Sequence, residues 1–136
     1  MIKKIYSSKG EWVGNIDIEK SIYHTQRDNN QNQVFKYISG NPLAIDRFVL
    51  SQLAKNNIKF ISILVTNFKN ELSFYCVSSM ENFLLNSEIF NYGTHGIQRR
   101  MTMNKWEKAK TLEEVKKIIS KMNLKLETFI NTTSQK

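Results

Sequence analysis

The segment 41–77 constrains the fold most, because it joins one helical pattern to two strand patterns. Asn41–Pro42 is typical of a helix start, and apolar residues recur at helical spacing from there to about Lys55. Residues 60–65 and 72–77 are predicted strands separated by a polar turn. Together these patterns predict a central helix packed on a β-hairpin.

The hydrophobic residues of this segment also predict the core. Six of them are expected to be mostly buried: Phe48, Leu53, Ile61, Ile63, Phe74 and Cys76. The chain has 136 residues, 40% of them hydrophobic and only one of them proline, so it can form one core and is not of disordered composition. We therefore predict a single α+β domain over residues 1–130, with a loose tail over 131–136.

Shorter patterns on either side of this segment add strands and helices. Alternation of apolar and polar residues predicts three strands within residues 2–27 and a fourth over 34–38. The Ser/Thr-x-x-Glu spacing of a capping box begins two further predicted helices, 78–85 and 111–123, with Ser78 as the N-cap of the first.

The last third of the chain completes the predicted element order. Residues 88–96 contain two glycines and predict an irregular loop, which is followed by a strand over 97–103 and by Trp106 packing on the core. After Asn123 a short strand or a frayed extension is predicted. Because strands and helices do not alternate strictly, a mostly antiparallel sheet with about three helices is favoured.

The net charge of the chain is +8, and it is distributed unevenly. Residues 97–136 hold 10 Lys or Arg and 4 Asp or Glu, a surplus of 6, whereas residues 1–96 hold 10 and 8, a surplus of 2. A basic region attracts anionic partners such as nucleic acid. The lysines of the last predicted helix are weaker candidates because glutamates partly balance them: Lys116, Lys117 and Lys121 against Glu113 and Glu114.

We predict that six residues in and beside this basic region contact nucleic acid. Arg guanidinium groups suit phosphates, Lys adds flexible positive charge, and a Tyr ring can stack on a base. The six are Tyr92, Arg99, Arg100, Lys105, Lys108 and Lys110. Neighbouring residues of a strand point to opposite faces, so we expect at least one of the two arginines to share an exposed patch with the lysines. The alternative is that these cations form only a solvated rim.

The chain offers few residues for catalysis or metal binding. His24 and His95 are the only histidines and Cys76 is the only cysteine, which does not predict a zinc site. A divalent-metal nuclease needs clustered carboxylates, for which Asp46 and Glu71 are the candidates. We therefore predict no catalytic residue, no metal and no cofactor, and favour a binding protein over an enzyme.

Cysteine usage and hydropathy indicate the cellular location. Cys76 cannot form an internal disulfide, which is typical of a reducing cytoplasm. No apolar run approaches the roughly 18–20 residues that span a bilayer, and Met1–Ile5 is not followed by the apolar run of a secretory signal. We predict a cytoplasmic protein without membrane contact, and the sequence leaves its oligomeric state open.

Three functions are compatible with these observations. The favoured one is a small, basic, non-enzymatic protein that contacts nucleic-acid phosphates non-specifically through its C-terminal basic region. The second is a protein-interaction module or inhibitor acting on a nucleic-acid-handling partner, which predicts an exposed apolar patch. The third is a divalent-metal-dependent nuclease. In its general shape the chain resembles small proteins of prokaryotic mobile elements such as phages and plasmids.

Overall fold

Three helices and nine strands form the part of the chain that the computed structural model describes, namely residues 1–25, 42–66, 73–91 and 96–134. This confirms the predicted α+β class. In chain order the elements are β1 (Ile2–Tyr6), β2 (Trp12–Asp17), β3 (Ile22–Thr25), β4 (Pro42–Asp46), α1 (Arg47–Lys55), β5 (Phe60–Thr66), β6 (Ser73–Ser79), α2 (Met80–Asn86), β7 (Glu88–Asn91), β8 (Ile97–Thr102), a 3₁₀ turn (Met103–Lys105), β9 (Glu107–Ala109) and α3 (Leu112–Ser134).

The strands form a six-stranded sheet in the order β1-β2-β3-β5-β6-β9 and a three-stranded sheet in the order β4-β8-β7. Of the strand pairs described, β3 with β5 is parallel and the others are antiparallel. The hairpin β5–β6 matches the prediction, and its register runs from Phe60 opposite Ser79 to Thr66 opposite Ser73. The predicted turn over 67–70 and the predicted strand over 34–38 lie outside the described residues.

The two faces of the six-stranded sheet are covered differently. One face, here called the core face, carries Ile16, Ile61 and Cys76, which pack with α1 and with the three-stranded sheet in the main hydrophobic cluster. The opposite face, here called the far face, carries a second cluster in which Phe60 and Val77 pack with α3. Helix α3 packs mainly on β6 and β9, and Ile22 of β3 and Phe60 of β5 join the same cluster. Strands β1 and β2 contribute no residue to this cluster, so α3 covers the far face mainly on the side of β6 and β9.

The first helix begins later than the sequence predicted, because residues 42–46 form strand β4. Leu43 and Ile45 are buried on one side of this strand, and β4 pairs along its length with β8. Pro42 is tolerated because β4 is an edge strand, where a missing N–H costs no ladder bond. Asp46 then caps α1, since its carboxylate accepts a hydrogen bond from the Val49 backbone N at 2.7 Å.

The buried residues of α1 lie on one face of the helix. Val49 and Leu53, four residues apart, face the core and are 4% and 0% exposed. Phe48 is 49% exposed, so its predicted burial is wrong. The other core predictions are confirmed for Leu53, Ile61, Ile63 and Cys76, while Phe74 is half-buried against the same cluster.

The C-terminal elements also differ in part from the prediction. Residues 88–91 form strand β7 rather than an irregular loop, because they pair with β8. The N-cap of α2 is Ser79 rather than Ser78, and its hydroxyl accepts from the Asn82 backbone N at 3.1 Å. Trp106 is buried as predicted, with its ring centroid 5.5 Å from that of Phe83.

The last helix is longer than predicted. Thr111 caps it as expected, because the Thr111 hydroxyl accepts from the Glu114 backbone N at 3.2 Å. The helix then continues to Ser134, so the short strand or frayed extension predicted after Asn123 is wrong, and residues 131–134 of the predicted tail are helical.

Candidate nucleic-acid interface

Both predicted arginines lie on β8, the middle strand of the three-stranded sheet, and both are half-buried. Arg99 donates from Nη1 to the Ser87 hydroxyl at 3.3 Å. Arg100 donates from Nη2 to the Gln98 side-chain oxygen at 3.2 Å, and its guanidinium carbon lies 5.3 Å from the centre of the Phe90 ring. Each guanidinium group is therefore positioned by neighbours within or beside the sheet.

The register of β8 separates the two arginines. Arg99 is opposite Ile45 and Ile89, on the face of the sheet that includes the buried Met101. Arg100 points to the other face, in the same cross-strand row as Glu88. One side of the three-stranded sheet therefore presents only one of the two guanidinium groups. The expectation that at least one of them shares a surface with the lysines stays a prediction.

The three predicted lysines lie close together in the chain and are all exposed. Lys105 ends the 3₁₀ turn, Lys108 lies on the edge strand β9, and Lys110 directly follows that strand, two residues before α3. We call these three residues the connecting lysines, since they lie on the segment 103–111, which connects the three-stranded sheet to α3. Lys108 is paired in register with Cys76. Burial raises the pKa of the Cys76 thiol to about 11, and the positive charge of Lys108 opposes this shift.

Helix α3 adds three cations that the sequence analysis missed or gave less weight. Lys117, Lys121 and Lys125 are all exposed, and their four-residue spacing places them in one row along the helix, with a rise of about 6 Å between neighbours. We call this row the α3 lysine stripe. The four-residue spacing of these lysines is visible in the sequence, but the predicted helix ends at Asn123 and therefore does not include Lys125.

The two glutamates in the first turn of α3 lie at the N-terminal end of this stripe, Glu113 four residues and Glu114 three residues before Lys117, so they partly balance its charge there. Glu113 lies 3.9 Å from Lys116, which belongs to the opposite flank of the helix. Glu114 accepts a hydrogen bond from the Lys110 backbone N at 2.8 Å. Both carboxylates lie in the first turn, where they also interact favourably with the positive end of the helix dipole.

The remaining predicted residues fall into two groups. Tyr92, His95 and Glu71 lie outside the described residues. Asp46, the other carboxylate considered for a nuclease site, accepts from the backbone N atoms of Val49 and Ser8 at 2.7 and 3.5 Å. Within the described ranges, no group of three or more His, Cys, Asp or Glu side chains is placed to hold a metal ion.

No helix in the described part of the chain combines the length and the apolar character needed to cross a membrane. Comparison with known proteins found no matching family model, no similar curated protein and no similar solved structure.

Proposed function

We propose that this protein is a small non-enzymatic nucleic-acid-binding protein whose C-terminal basic region contacts phosphates. The observation that carries the proposal is the exposure of two sets of cations in the last third of the chain, the connecting lysines and the α3 lysine stripe. Lys binds phosphate as a flexible point charge and reads no base, so the contacts are non-specific in sequence. Arg99 and Arg100 add a guanidinium group on each face of the neighbouring sheet.

The proposed setting is the cytoplasm, because the single Cys76 thiol is fully buried and needs no oxidising compartment. A nucleic-acid-handling process of a phage or plasmid is the setting we infer from the general shape of the chain. The three connecting lysines and the three lysines of the α3 lysine stripe supply enough charge for weak to moderate affinity. The net charge of +8 assists binding by long-range attraction.

The salt dependence of binding tests this proposal. Each phosphate that a Lys neutralises releases counterions, so the logarithm of the binding constant falls with the logarithm of salt by about 0.7 per contact on a single strand and about 0.9 on a duplex. Changing Lys117, Lys121 and Lys125 together to Gln should lower the slope on a single strand by about 2, because three contacts are lost. Gln and Lys have similar helix propensities, so α3 should remain intact.

A matched control separates the lysine stripe from net charge. Lys3, Lys55 and Lys59 are also exposed but lie outside the C-terminal region, and their triple change to Gln removes the same charge. We expect this control to keep nearly the wild-type slope in fluorescence-anisotropy titrations with single-stranded DNA, RNA and duplex DNA. If both triple variants lose the same slope, binding depends on overall charge and the proposed surface is wrong.

One observation favours the second function, a protein-interaction module. Leu84, Leu85 and Ile89 are 46%, 77% and 63% exposed, and they lie within six residues of one another on α2 and on the edge strand β7. Exposed apolar groups of this kind often mark protein contacts. A wild-type protein that binds no nucleic acid even at low salt would support this function instead of the first.

A further inference from the structure

A cleft on the open part of the far face contains a buried hydroxyl that has no hydrogen-bond partner in the described part of the chain. Asn15, His24 and Ser62 are cross-strand neighbours on β2, β3 and β5, so they form one row across this face. Ser62 is 1% exposed, and its hydroxyl has no hydrogen-bond partner among the residues that the structure describes. Since buried polar groups are nearly always paired, an unpaired hydroxyl in a cleft points to a ligand that completes it.

The size and the walls of this cleft suit a flat heterocycle. Its volume is about 320 Å³, within the range of about 300–1,000 Å³ typical of small-molecule sites. Leu64 and Tyr75 line it from the sheet, and Leu112, the first residue of α3, lines it from the helix. A planar ring placed here would contact apolar and aromatic surface while its edge reaches the row of polar side chains.

The polar row offers both donors and acceptors. The Ser62 hydroxyl can donate and accept. Burial lowers the pKa of His24 from its ordinary value of 6.5, more than the negative charge of Asp17 raises it, so the ring is neutral at pH 7 with one donor and one acceptor. The Asn15 side-chain oxygen accepts from Trp12 Nε1 at 3.2 Å, and the Asn15 amide nitrogen supplies further donors.

We propose that this cleft binds a nucleobase, whose ring contacts Tyr75 and Leu112 and whose polar edge bonds to Ser62, His24 and Asn15. The edge of a base presents the same mixture of donors and acceptors that this row can pair. The base belongs either to a free nucleotide or to an unpaired position of a single strand, and the second source rests on the proposed nucleic-acid-binding function.

The surroundings of the cleft accommodate the rest of a nucleotide. Lys4 lies in the same cross-strand row as Asn15, with its ammonium nitrogen 5.1 Å from the centre of the Trp12 ring. A second groove of about 580 Å³ shares His24 and Leu112 with the cleft, and Lys20 and Lys116 line it together with Asp17 and Glu19. This mixed lining suits the hydroxyl groups of a sugar as well as a phosphate.

Two serine variants test the proposal by opposite effects. Ser62→Ala removes an unpaired hydroxyl, so the Tm should stay unchanged or rise, while affinity for the ligand should fall roughly 2- to 12-fold, the worth of one hydrogen bond. Ser78 is equally buried, but its hydroxyl donates to the Ser79 backbone O at 2.9 Å and accepts from Asn82 Nδ2 at 3.1 Å. Ser78→Ala should therefore lower the Tm and leave affinity unchanged.

The probes are adenosine, guanosine, cytidine and uridine monophosphates and single-stranded oligonucleotides of one base each, titrated by calorimetry and by tryptophan fluorescence. Trp12 reports on the cleft because it bonds to Asn15, whereas Trp106 is buried elsewhere, and Trp12→Phe should remove the fluorescence change. Leu112→Ala should weaken binding, and Leu124→Ala, a change of the same type at another exposed position about 18 Å further along α3, should not.

The outcomes separate this proposal from the proposed function. Saturable mononucleotide binding that Ser62→Ala weakens supports the cleft, with a free nucleotide as occupant if oligonucleotides do not bind. Oligonucleotide binding that Ser62→Ala weakens supports a base from a single strand. A third outcome is that no mononucleotide binds and that oligonucleotides bind wild type and Ser62→Ala equally, through the α3 lysine stripe. This outcome overturns the proposed cleft and leaves the proposed function standing. Absence of saturable binding by every probe overturns both.

Discussion

Arg99 and Arg100 are adjacent in the chain, yet their guanidinium groups lie on opposite faces of the three-stranded sheet. We expect the double variant Arg99→Gln/Arg100→Gln to lower the salt slope on a single strand by about 0.7, because one side of the sheet presents one arginine to the phosphates. Titrations of the two single variants should assign nearly all of this change to one residue. Equal contributions from both residues would contradict the opposite-face argument.

The lowered pKa of His24 predicts how the free energy of unfolding depends on pH. Burial lowers its pKa below the value of 6.5 that it has in the unfolded chain, and Lys20 acts in the same direction while Asp17 opposes both. The unfolded state therefore binds more protons below neutral pH, and the free energy of unfolding should fall as the pH drops through 6.5 toward the lower folded-state pKa.

His24→Gln should remove part of this dependence. Urea unfolding of wild type and variant at pH 7.5 and pH 5.5 measures it, because the contribution of every other group is common to both proteins. A wild type that loses no more stability than the variant between these two pH values would show that the pKa of His24 is not lowered by folding.

At the scale of elements, α1 offers the sharpest test, because the sequence predicts that both Leu53 and Phe48 are buried and only Leu53 is. Leu53 is fully buried, so Leu53→Ala should lower the free energy of unfolding by about 2–5 kcal/mol. Phe48 is half exposed, so Phe48→Ala should cost at most about 1 kcal/mol, although it removes more atoms. Similar losses for both in urea unfolding would favour the helix start at Asn41–Pro42 that the sequence suggested.

Helix α3 shows how an element boundary decides which site residues are found. Residues 112–134 contain neither Gly nor Pro, so nothing in the backbone ends the helix at Asn123. The apolar residues beyond Asn123 fit a strand as well as a helix over so short a stretch, which is why the sequence analysis ended the helix there. The longer helix is what aligns Lys125 with the rest of the α3 lysine stripe.

For the whole molecule, α3 separates two proposed binding surfaces. The flank with Leu112 and Lys116 borders the cleft on the far face, and the α3 lysine stripe lies on the opposite flank. In the proposed complex a mononucleotide occupies the cleft alone. A single strand that places a base in the cleft must cross the helix, whose diameter is about 10 Å, before its phosphates reach the stripe.

By itself the sequence determined the α+β class, the β5–β6 hairpin, the cap at Thr111 and most of the predicted core. These features depend on local periodicity and on capping chemistry, which neighbouring residues specify. It also located the excess of positive charge, because charge is a property of composition.

Only the tertiary structure decided the role of residues 42–46, since Leu43 and Ile45 fit a helix or a strand until β8 pairs with them. The strand β7, the parallel pairing of β3 with β5 and the split between the two arginines likewise follow from partners far away in the chain. The position of the Ser62 hydroxyl, which has no partner among residues 1–25, 42–66, 73–91 and 96–134, depends on the same pairing. The alternation of β5 turns this hydroxyl to the far face, at the margin of the area that α3 covers. Burial and pairing of this kind are set by long-range contacts, which no local pattern specifies.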